Sequence, residues 1–318
     1  MKIKELGERK LVNAFLSSLK LPDGVFPLFD DTQAFTLGNQ LISFKIDTFV
    51  FSTDRPKALA AYDVGWKAIT AVASDMAAKG ASPYLFMCSL SLPGDMEEED
   101  AISLENGMND AASEYGGHLI GGDTGEAQDG VVAISGIGLH PDNIYTPRTA
   151  RVKIENGDIV AVTGNFGYTS LGLNYMLGKI HLDDPILSKA LEAFRKPKAR
   201  VKSGLALSNL GAKSSMDSSD GLALTLSELS RLNGLDVEIK EMPIDDDLKN
   251  FFETNYIDPT SYVFYGGEEY ELVGIFPAAA EPKLSEFGFR AIGFTNKGTG
   301  IIKYKDTVIG NKGYEHFK

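Results

Sequence analysis

Residues 56–80 read PKALAAYDVGWKAITAVASDMAAKG, and this stretch decides the class of fold expected for the chain. Within it, Trp66, Ile69, Val72 and Met76 recur at the spacing of one helix face. Gly80 can end the helix as its C-terminal cap. The pattern predicts one long apolar helix.

Strand-like runs lie on both sides of this predicted helix. Before it, residues 33–37 and 41–51 are split by Gly38-Asn39, as in a β-hairpin. After it, we expect strands at residues 84–92, 118–122 and 131–139, and a polar-faced helix at residues 97–114. Strands and helices alternate, which predicts a layered α/β (α+β) fold.

The pattern breaks near residues 141–156, where prolines and basic residues interrupt it. We therefore predict two domains, residues 1–145 and residues 146–318. Further helices are expected at residues 3–19, 170–177, 185–194 and 222–232, and further strands at residues 158–163, 237–239, 271–275 and 290–294.

The charge and cysteine content limit the classes of function. The 318 residues carry a formal net charge of -13, which disfavours nucleic-acid binding because both partners are negative. No stretch has the length of a membrane span, and no targeting pattern opens the sequence. Cys88 is the single cysteine, so the sequence favours a reducing, cytoplasmic setting.

Several aspartates lie where a charge is costly unless it is paired or binds a metal. They follow an apolar run (Asp30 and Asp31), interrupt a strand (Asp47), lie on the apolar helix (Asp75), follow Gly121-Gly122 at the end of a strand (Asp123), or flank Ser218-Ser219 (Asp217 and Asp220). One such aspartate alone is more often a helix cap or a salt-bridge partner. Several at strand and helix ends favour a shared Mg²⁺ site, which would let an acidic protein bind ATP.

Three short strings are candidates for phosphate chemistry. Residues 217–222 read DSSDGL, in which a glycine precedes a helix whose free N–H groups suit phosphate. The other strings are GGDT at residues 121–124 and YGGEEYEL at residues 265–272. No Walker A string, dinucleotide fingerprint or protein-kinase signature is present, and the four histidines lack metal-ligand spacing.

In this order, the strings resemble thiamine-monophosphate kinase, a family within a larger group that includes aminoimidazole ribonucleotide synthetase and selenophosphate synthetase. The resemblance runs from the Asp30-Asp31 pair to residues 313–317, which read GYEHF. It implies the two-domain fold of the aminoimidazole ribonucleotide synthetase type. It also implies a homodimer in which N-terminal strands of both subunits form an intersubunit barrel.

The resemblance further implies ATP-dependent phosphorylation of thiamine monophosphate to thiamine diphosphate with several Mg²⁺ ions. In such a metal-assisted reaction we expect no residue to act as a general base. By position, the metal ligands would be Asp30, Asp47, Asp75, Asp123, Asp217 and Asp220. ATP would contact Gly122, Asp123, Arg151 and Ser219, and the substrate would contact Asp54, Glu268, Tyr314 and Phe317.

The chain departs from the family pattern between Lys45 and Asp54. Lys45-Ile46 replaces the usual Ser-Thr before Asp47. The Lys45 ammonium could stand where a metal or its hydroxyl ligand would otherwise lie, or the side chain could point to solvent. These departures keep two alternatives open: an enzyme of the same superfamily acting on another small phosphate or carbonyl substrate, and a non-catalytic nucleotide-binding dimer.

Overall fold

The computed structural model describes residues 3–26 and 29–314, which form helices around two β-sheets. The mixed α/β class predicted from the alternation of elements is confirmed. The helices are α1 (Ile3–Leu6), α2 (Glu8–Ser18), α3 (Phe51–Asp54), α4 (Ala61–Ala78), α5 (Glu98–Glu114), α6 (Tyr168–Met176), α7 (Ile186–Arg195), α8 (Val201–Leu205), α9 (Leu222–Asn233), α10 (Asp246–Thr254) and α11 (Thr260–Val263), with a 3₁₀ helix at Ala278–Phe287.

The first sheet has five strands in the order β1-β2-β5-β3-β4. Their bounds are β1 (Gln33–Leu37), β2 (Gln40–Val50), β3 (Ser82–Leu92), β4 (His118–Glu126) and β5 (Val131–Leu139). Leu37 pairs with Gln40, so the predicted hairpin at Gly38-Asn39 is confirmed. Strands β3 and β4 are parallel, and the other neighbours are antiparallel.

The second sheet has seven strands in the order β12-β11-β8-β10-β6-β9-β7. Their bounds are β6 (Ile159–Thr163), β7 (Ser214–Ser218), β8 (Leu235–Ile239), β9 (Glu271–Phe276), β10 (Phe289–Lys297), β11 (Ile302–Tyr304) and β12 (Thr307–Val308). Strands β6, β7 and β9 are buried along their whole length. Fully buried strands lack the alternation of apolar and polar residues that marks a strand with one face in solvent. This explains why the polar strand β7 was not predicted from the sequence.

Helix α4 lies between the two sheets and is almost entirely buried. Val72, Ala73 and Met76 pack in the core beneath the first sheet. The next residues, Ala77 and Ala78, pack against residues of β6 and β9 in the second sheet. Its contact with α5 is close because Gly65 faces the backbone of Leu104, where a Cβ atom would overlap the carbonyl oxygen.

Two predicted elements differ from the structure. The single helix expected at residues 3–19 is two helices, because Gly7 between them has φ 78°, a left-handed value that interrupts helical geometry. Strand β4 does not end at Gly121-Gly122 but continues through Asp123 to Glu126. Its pairing with β3 extends to Leu92 opposite Glu126.

The predicted domain boundary at residues 145/146 lies in the segment that joins β5 to β6, and it remains a prediction. Phe194 and Ala199, from the second half of the chain, pack into the core beneath the first sheet. Across residues 3–26 and 29–314, no helix combines the length and the apolar character that crossing a membrane requires.

Candidate functional site

Three buried carboxylates converge from separate parts of the chain. Asp31 precedes β1, Asp75 lies on α4, and Asp217 lies on β7. One oxygen from each lies within 4.8 Å of the other two, and in the described part of the chain no other group of three metal-binding side chains is this close. Three carboxylates at this spacing provide the oxygen ligands that a hard divalent cation requires.

Burial dominates the protonation of this cluster. It raises the pKa of Asp75 well above the ordinary value, and nearby Lys45 only partly offsets this while Asp217 adds to it. Burial and the charge of Asp31 raise the pKa of Asp217 to about 6, against a hydrogen bond from Ser74 that lowers it. Carboxylates that repel one another in this way favour a bound cation, so the residues fit a divalent metal ion.

The neighbouring pair Asp30 and Asp31 is held by two cations. Nζ of the fully buried Lys79 lies 2.6 Å from Oδ1 of Asp30 and 2.7 Å from Oδ2 of Asp31. Arg148 donates from Nε to Oδ1 of Asp31 at 2.8 Å, and its backbone N–H donates to Oδ2 of Asp30 at 2.9 Å. Burial acts to raise the pKa of Asp31, but Arg148 and Lys79 outweigh it and the pKa is lowered.

The aspartate selected from the sequence differs from the one that lies in the cluster. Asp30 was assigned as the metal ligand, yet Asp31 is the member of the pair that joins Asp75 and Asp217. Oδ1 of Asp30 accepts from the backbone N–H of Asp31, and Oδ2 accepts from that of Arg148, so Asp30 is bound to the backbone on both sides of the site. Asp30 therefore fixes the loop that presents Asp31.

Lys45 points into the site from β2. Its Nζ lies 2.5 Å from Oδ2 of Asp75 and 3.9 Å from Oδ2 of Asp47. The alternative in which Lys45 points to solvent is wrong, because its side chain is only 23% exposed. Burial acts to lower its pKa, but Asp75 and Asp47 more than compensate and raise it.

The other N-terminal candidates are exposed, or their side chains bond to backbone groups close by in the sequence. Asp47 is half-exposed on β2, and its Oδ1 accepts from the next backbone N–H, that of Thr48. Oδ2 of Asp54 accepts from the backbone N–H of Val50, at the start of α3. Gly122 and Asp123 are exposed on β4, an edge strand of the first sheet. Gly122 is required there because a Cβ atom would overlap the carbonyl oxygen of its neighbour Cys88.

Backbone hydrogen bonds bring together three C-terminal segments, residues 217–222, residues 265–272 and the segment that ends at Tyr314. The N–H of Glu268 donates to the carbonyl of Ser219 at 2.5 Å, and the N–H of Tyr314 donates to that of Asp220 at 3.1 Å. Gly221, with φ 114°, then starts helix α9. Ser219, Asp220, Glu268 and Tyr314 therefore form one surface next to the buried Asp217.

A buried lysine of α4 reaches this surface. The Lys67 side chain is fully buried, and its Nζ lies 3.0 Å from Oε1 of Glu268. The same Nζ also donates to the carbonyl of Phe194 at 3.0 Å. Glu268 has φ 63°, an uncommon value outside glycine. The position of Glu268 is thus fixed by a specific ion pair. Phe317, the other aromatic candidate, lies outside the described residues.

Arg151 lies apart from the aspartate cluster. Its guanidinium carbon lies 4.8 Å from the ring centroid of Phe26. Both residues line a cavity of about 470 Å³, together with Tyr145, Val152 and Lys213. No residue of the aspartate cluster lines this cavity.

Sequence reasoning missed the roles of Asp31, Lys67, Ser74, Lys79 and Arg148. The signal for the two lysines was present, because each lies at an otherwise apolar helix, where a charge needs a partner. The same argument selected Asp75. Arg148 was recognised only as one of several basic residues near the boundary, and its distance in sequence from Asp31 hid the pairing.

Comparison with known proteins identifies the family of the chain. Residues 29–140 match the family described as AIR synthase related protein, N-terminal domain. The thiamine-monophosphate kinase of Nitrosopumilus maritimus (strain SCM1) is 33% identical over 298 residues, covering 91% of this chain and 93% of the relative. That of Pyrococcus horikoshii is 31% identical, with 92% and 91% covered.

Solved structures give the same match. The structure described as AaThiL complexed with AMPPCP and TMP has a TM-score of 0.86 and 25% identity, with 99% of both chains covered. A HypE-HypF complex aligns with a TM-score of 0.73 and 21% identity over 92% of this chain and 95% of the other, which establishes the fold alone. The predicted fold of the aminoimidazole ribonucleotide synthetase type is confirmed.

Proposed function

Because this chain belongs to the thiamine-monophosphate kinase family, we propose that it transfers the γ-phosphoryl group of ATP to thiamine monophosphate. The observation that carries the proposal is the convergence of Asp31, Asp75 and Asp217 in a buried cluster. The near-complete alignment with a structure named for its AMPPCP and TMP complex supports the same substrates. The single, half-buried cysteine suits the cytoplasm as the setting.

The proposed metal ligands are Asp31, Asp75 and Asp217, with Asp31 in place of Asp30. Asp123 and Asp220, which are more exposed, remain proposed ligands. Asp47 was the third further candidate, and its carboxylate faces Lys45 instead. Mg²⁺ bound there would neutralise phosphate charge and stabilise the charge that develops during transfer. Lys79 and Arg148 hold Asp31 ionised and oriented for this task.

The proposed reaction needs no catalytic side chain besides the metal ligands. The attacking oxygen belongs to the substrate phosphate, which is already ionised near neutral pH, so no side chain needs to remove a proton. The chain must instead position two negatively charged molecules. The turn at Ser219 and Asp220, which precedes helix α9, is the proposed place for the phosphate oxygens. Ser219, Gly122 and Arg151 are the proposed ATP contacts.

The proposed substrate end comprises Glu268 and Tyr314, with Asp54 and Phe317 as further candidates. Lys67 holds the Glu268 carboxylate, which would face the cationic thiazolium ring of thiamine, and an aromatic side chain suits the same ring. Tyr314 is attached to this surface through its backbone N–H.

The proposal includes assembly as a homodimer. Ile46, Ser135 and Met87 are neighbours across β2, β5 and β3, on the face of the first sheet turned away from α4. Ile46 is 61% exposed and Met87 is 50% exposed, and further exposed apolar side chains are Phe44 on β2, Tyr84 on β3 and Ile120 on β4. A contiguous apolar surface of this kind favours burial against a second copy, as an intersubunit barrel would provide.

An ADP-release assay with ATP, Mg²⁺ and thiamine monophosphate tests this function. We expect ADP to form with thiamine monophosphate, and we expect little with Asp75→Asn. The altered segment around Lys45 and Asp54 favours one competing activity, phosphorylation of another small phosphate. ADP release with a different acceptor in a substrate panel, but not with thiamine monophosphate, would identify that activity. ATP binding without ADP release on any acceptor would indicate a non-catalytic nucleotide-binding protein.

A further inference from the structure

Lys45 carries a fixed positive charge into the aspartate cluster. It lies on β2, where alternate side chains turn towards α4, and its Nζ contacts Oδ2 of Asp75 at 2.5 Å. The same Nζ lies 3.9 Å from Oδ2 of Asp47. The ammonium therefore stands between two carboxylates, one from a strand and one from a helix.

The other cations of the site are already assigned to different carboxylates. Lys79 contacts Asp30 and Asp31, and Arg148 contacts the same pair. Asp217 accepts a hydrogen bond from Ser74. Lys45 thus supplies the ion pair of Asp75 within this network, and no other cationic side chain among residues 3–26 and 29–314 forms a salt bridge with Asp75.

We infer that the Lys45 ammonium is a built-in cation that replaces one divalent ion between Asp75 and Asp47. Asp31, Asp75 and Asp217 would then hold a single divalent ion on the protein side. A second divalent ion beside Asp47 is disfavoured because it would meet the ammonium at close range. The inference rests on the proposed function only in taking the cluster as a metal site.

The geometry at Asp47 supports this division. Its Oδ1 accepts from the backbone N–H of Thr48 at 2.9 Å, and its Oδ2 faces Lys45. A protein carboxylate next to an ammonium already has much of its charge compensated. Removing the ammonium leaves Asp47 and Asp75 uncompensated, which creates a place for a further metal ion.

The test is a count of bound Mn²⁺ per chain by equilibrium dialysis, with the full chain and saturating AMPPCP. Relative to the wild type, we expect Lys45→Ser to bind about one more Mn²⁺. Lys45→Arg, which keeps the charge, and Lys249→Ser, which removes an exposed lysine on α10, should match the wild type. Equal counts for wild type and Lys45→Ser would overturn the inference.

A second variant keeps the inference testable if Lys45→Ser fails to fold. In the wild-type background, Asp47→Asn should leave the Mn²⁺ count unchanged, whereas a lower count would mean that Asp47 already holds an ion and would refute the inference. If Lys45→Ser folds, adding Asp47→Asn should remove its extra ion. Thiamine-monophosphate-dependent ADP release by the wild type is measured separately, so failure of the proposed function leaves the ion count interpretable.

Discussion

Oγ of Ser74 donates a 2.7 Å hydrogen bond to Oδ2 of Asp217, joining helix α4 to a strand of the second sheet. The same Oγ lies 3.3 Å from the carbonyl oxygen of Tyr270, the weaker of its two contacts. The positions of Asp75 and Asp217 are therefore coupled through adjacent residues of one helix. The cluster depends on the packing of both halves of the chain.

Replacing Asp217 by Asn should damage turnover far more than folding. The variant loses a proposed metal ligand, and we expect the rate of ADP release to fall at least about 100-fold. Without metal, thermal stability should stay the same or rise, because burial already disfavours the charged carboxylate. Asp246→Asn, at an exposed position of α10, is the control. Wild-type turnover in Asp217→Asn would reject the ligand assignment.

Lys79→Met should destabilise the fold strongly. It leaves Asp30 and Asp31 buried without the ammonium that contacts both, and breaking such a buried pair costs about 3–5 kcal/mol. Urea unfolding measures the loss of free energy. Adding Asp30→Asn should recover part of it because one unpaired charge is removed. A loss that is unchanged in the double variant would contradict this electrostatic account.

Glu269 should make stability depend on pH. Burial raises its pKa to about 8, against hydrogen bonds from Thr169 and Gly167 that lower it. The folded chain keeps a proton that the unfolded chain releases above pH 4.5, the ordinary value for this group. Stability from this group is therefore lost as pH rises from there to about 8, at up to about 1.4 kcal/mol per pH unit.

The Glu269→Gln variant isolates this effect because its side chain stays neutral at every pH. Urea unfolding of wild type and variant at pH 5 and pH 8 provides the comparison. We expect the variant to gain stability relative to wild type at the higher pH. The same difference at both pH values would show that Glu269 does not titrate as described.

Lys67→Met should weaken substrate binding more than it slows transfer. The variant frees the Glu268 carboxylate, which Lys67 holds at 3.0 Å. We expect KM for thiamine monophosphate to rise roughly tenfold, equivalent to about 1.4 kcal/mol, with a smaller change in kcat. KM for ATP serves as the internal reference. An equal rise in both KM values would mean that Lys67 supports the fold rather than the substrate end.

Ile46→Asp should break the proposed homodimer. The change places a charge in the exposed apolar face of the first sheet, where it would be buried between subunits. Light scattering after size-exclusion chromatography should give the mass of a monomer. Tyr256→Asp alters another exposed large hydrophobic side chain, outside both sheets, and should leave a dimer. A wild-type protein with the mass of a monomer would contradict the proposed homodimer.

Much of the fold follows from local patterns in the sequence. Helix α4 and the hairpin at Gly38-Asn39 were predicted because their periods and turn residues act over short distances. Strand β7 was not predicted because its buried serines and Asp217 have no apolar period. The long 3₁₀ helix at Ala278–Phe287 likewise has no strong sequence signal, since Pro282 lies inside it.

The site was less predictable because it depends on long-range pairs. Costly charges identified Asp75 and Asp217, which the structure brings together with Asp31. No local pattern links Asp31 to Asp75 and Asp217, or to Arg148, which lies more than 100 residues away in the chain.

Helix α4 and its C-terminal cap carry Lys67, Ser74, Asp75 and Lys79. The regular geometry of the helix therefore sets the distances between these four groups. Inserting one residue after Lys67 would turn everything beyond it by about 100° and advance it by about 1.5 Å. Ser74 and Asp75 would then leave the site together while Lys67 stayed with Glu268. Natural insertions and deletions should therefore avoid residues 67–79. They should fall in surface loops, such as residues 177–185, where a change in loop length does not alter the spacing of functional groups.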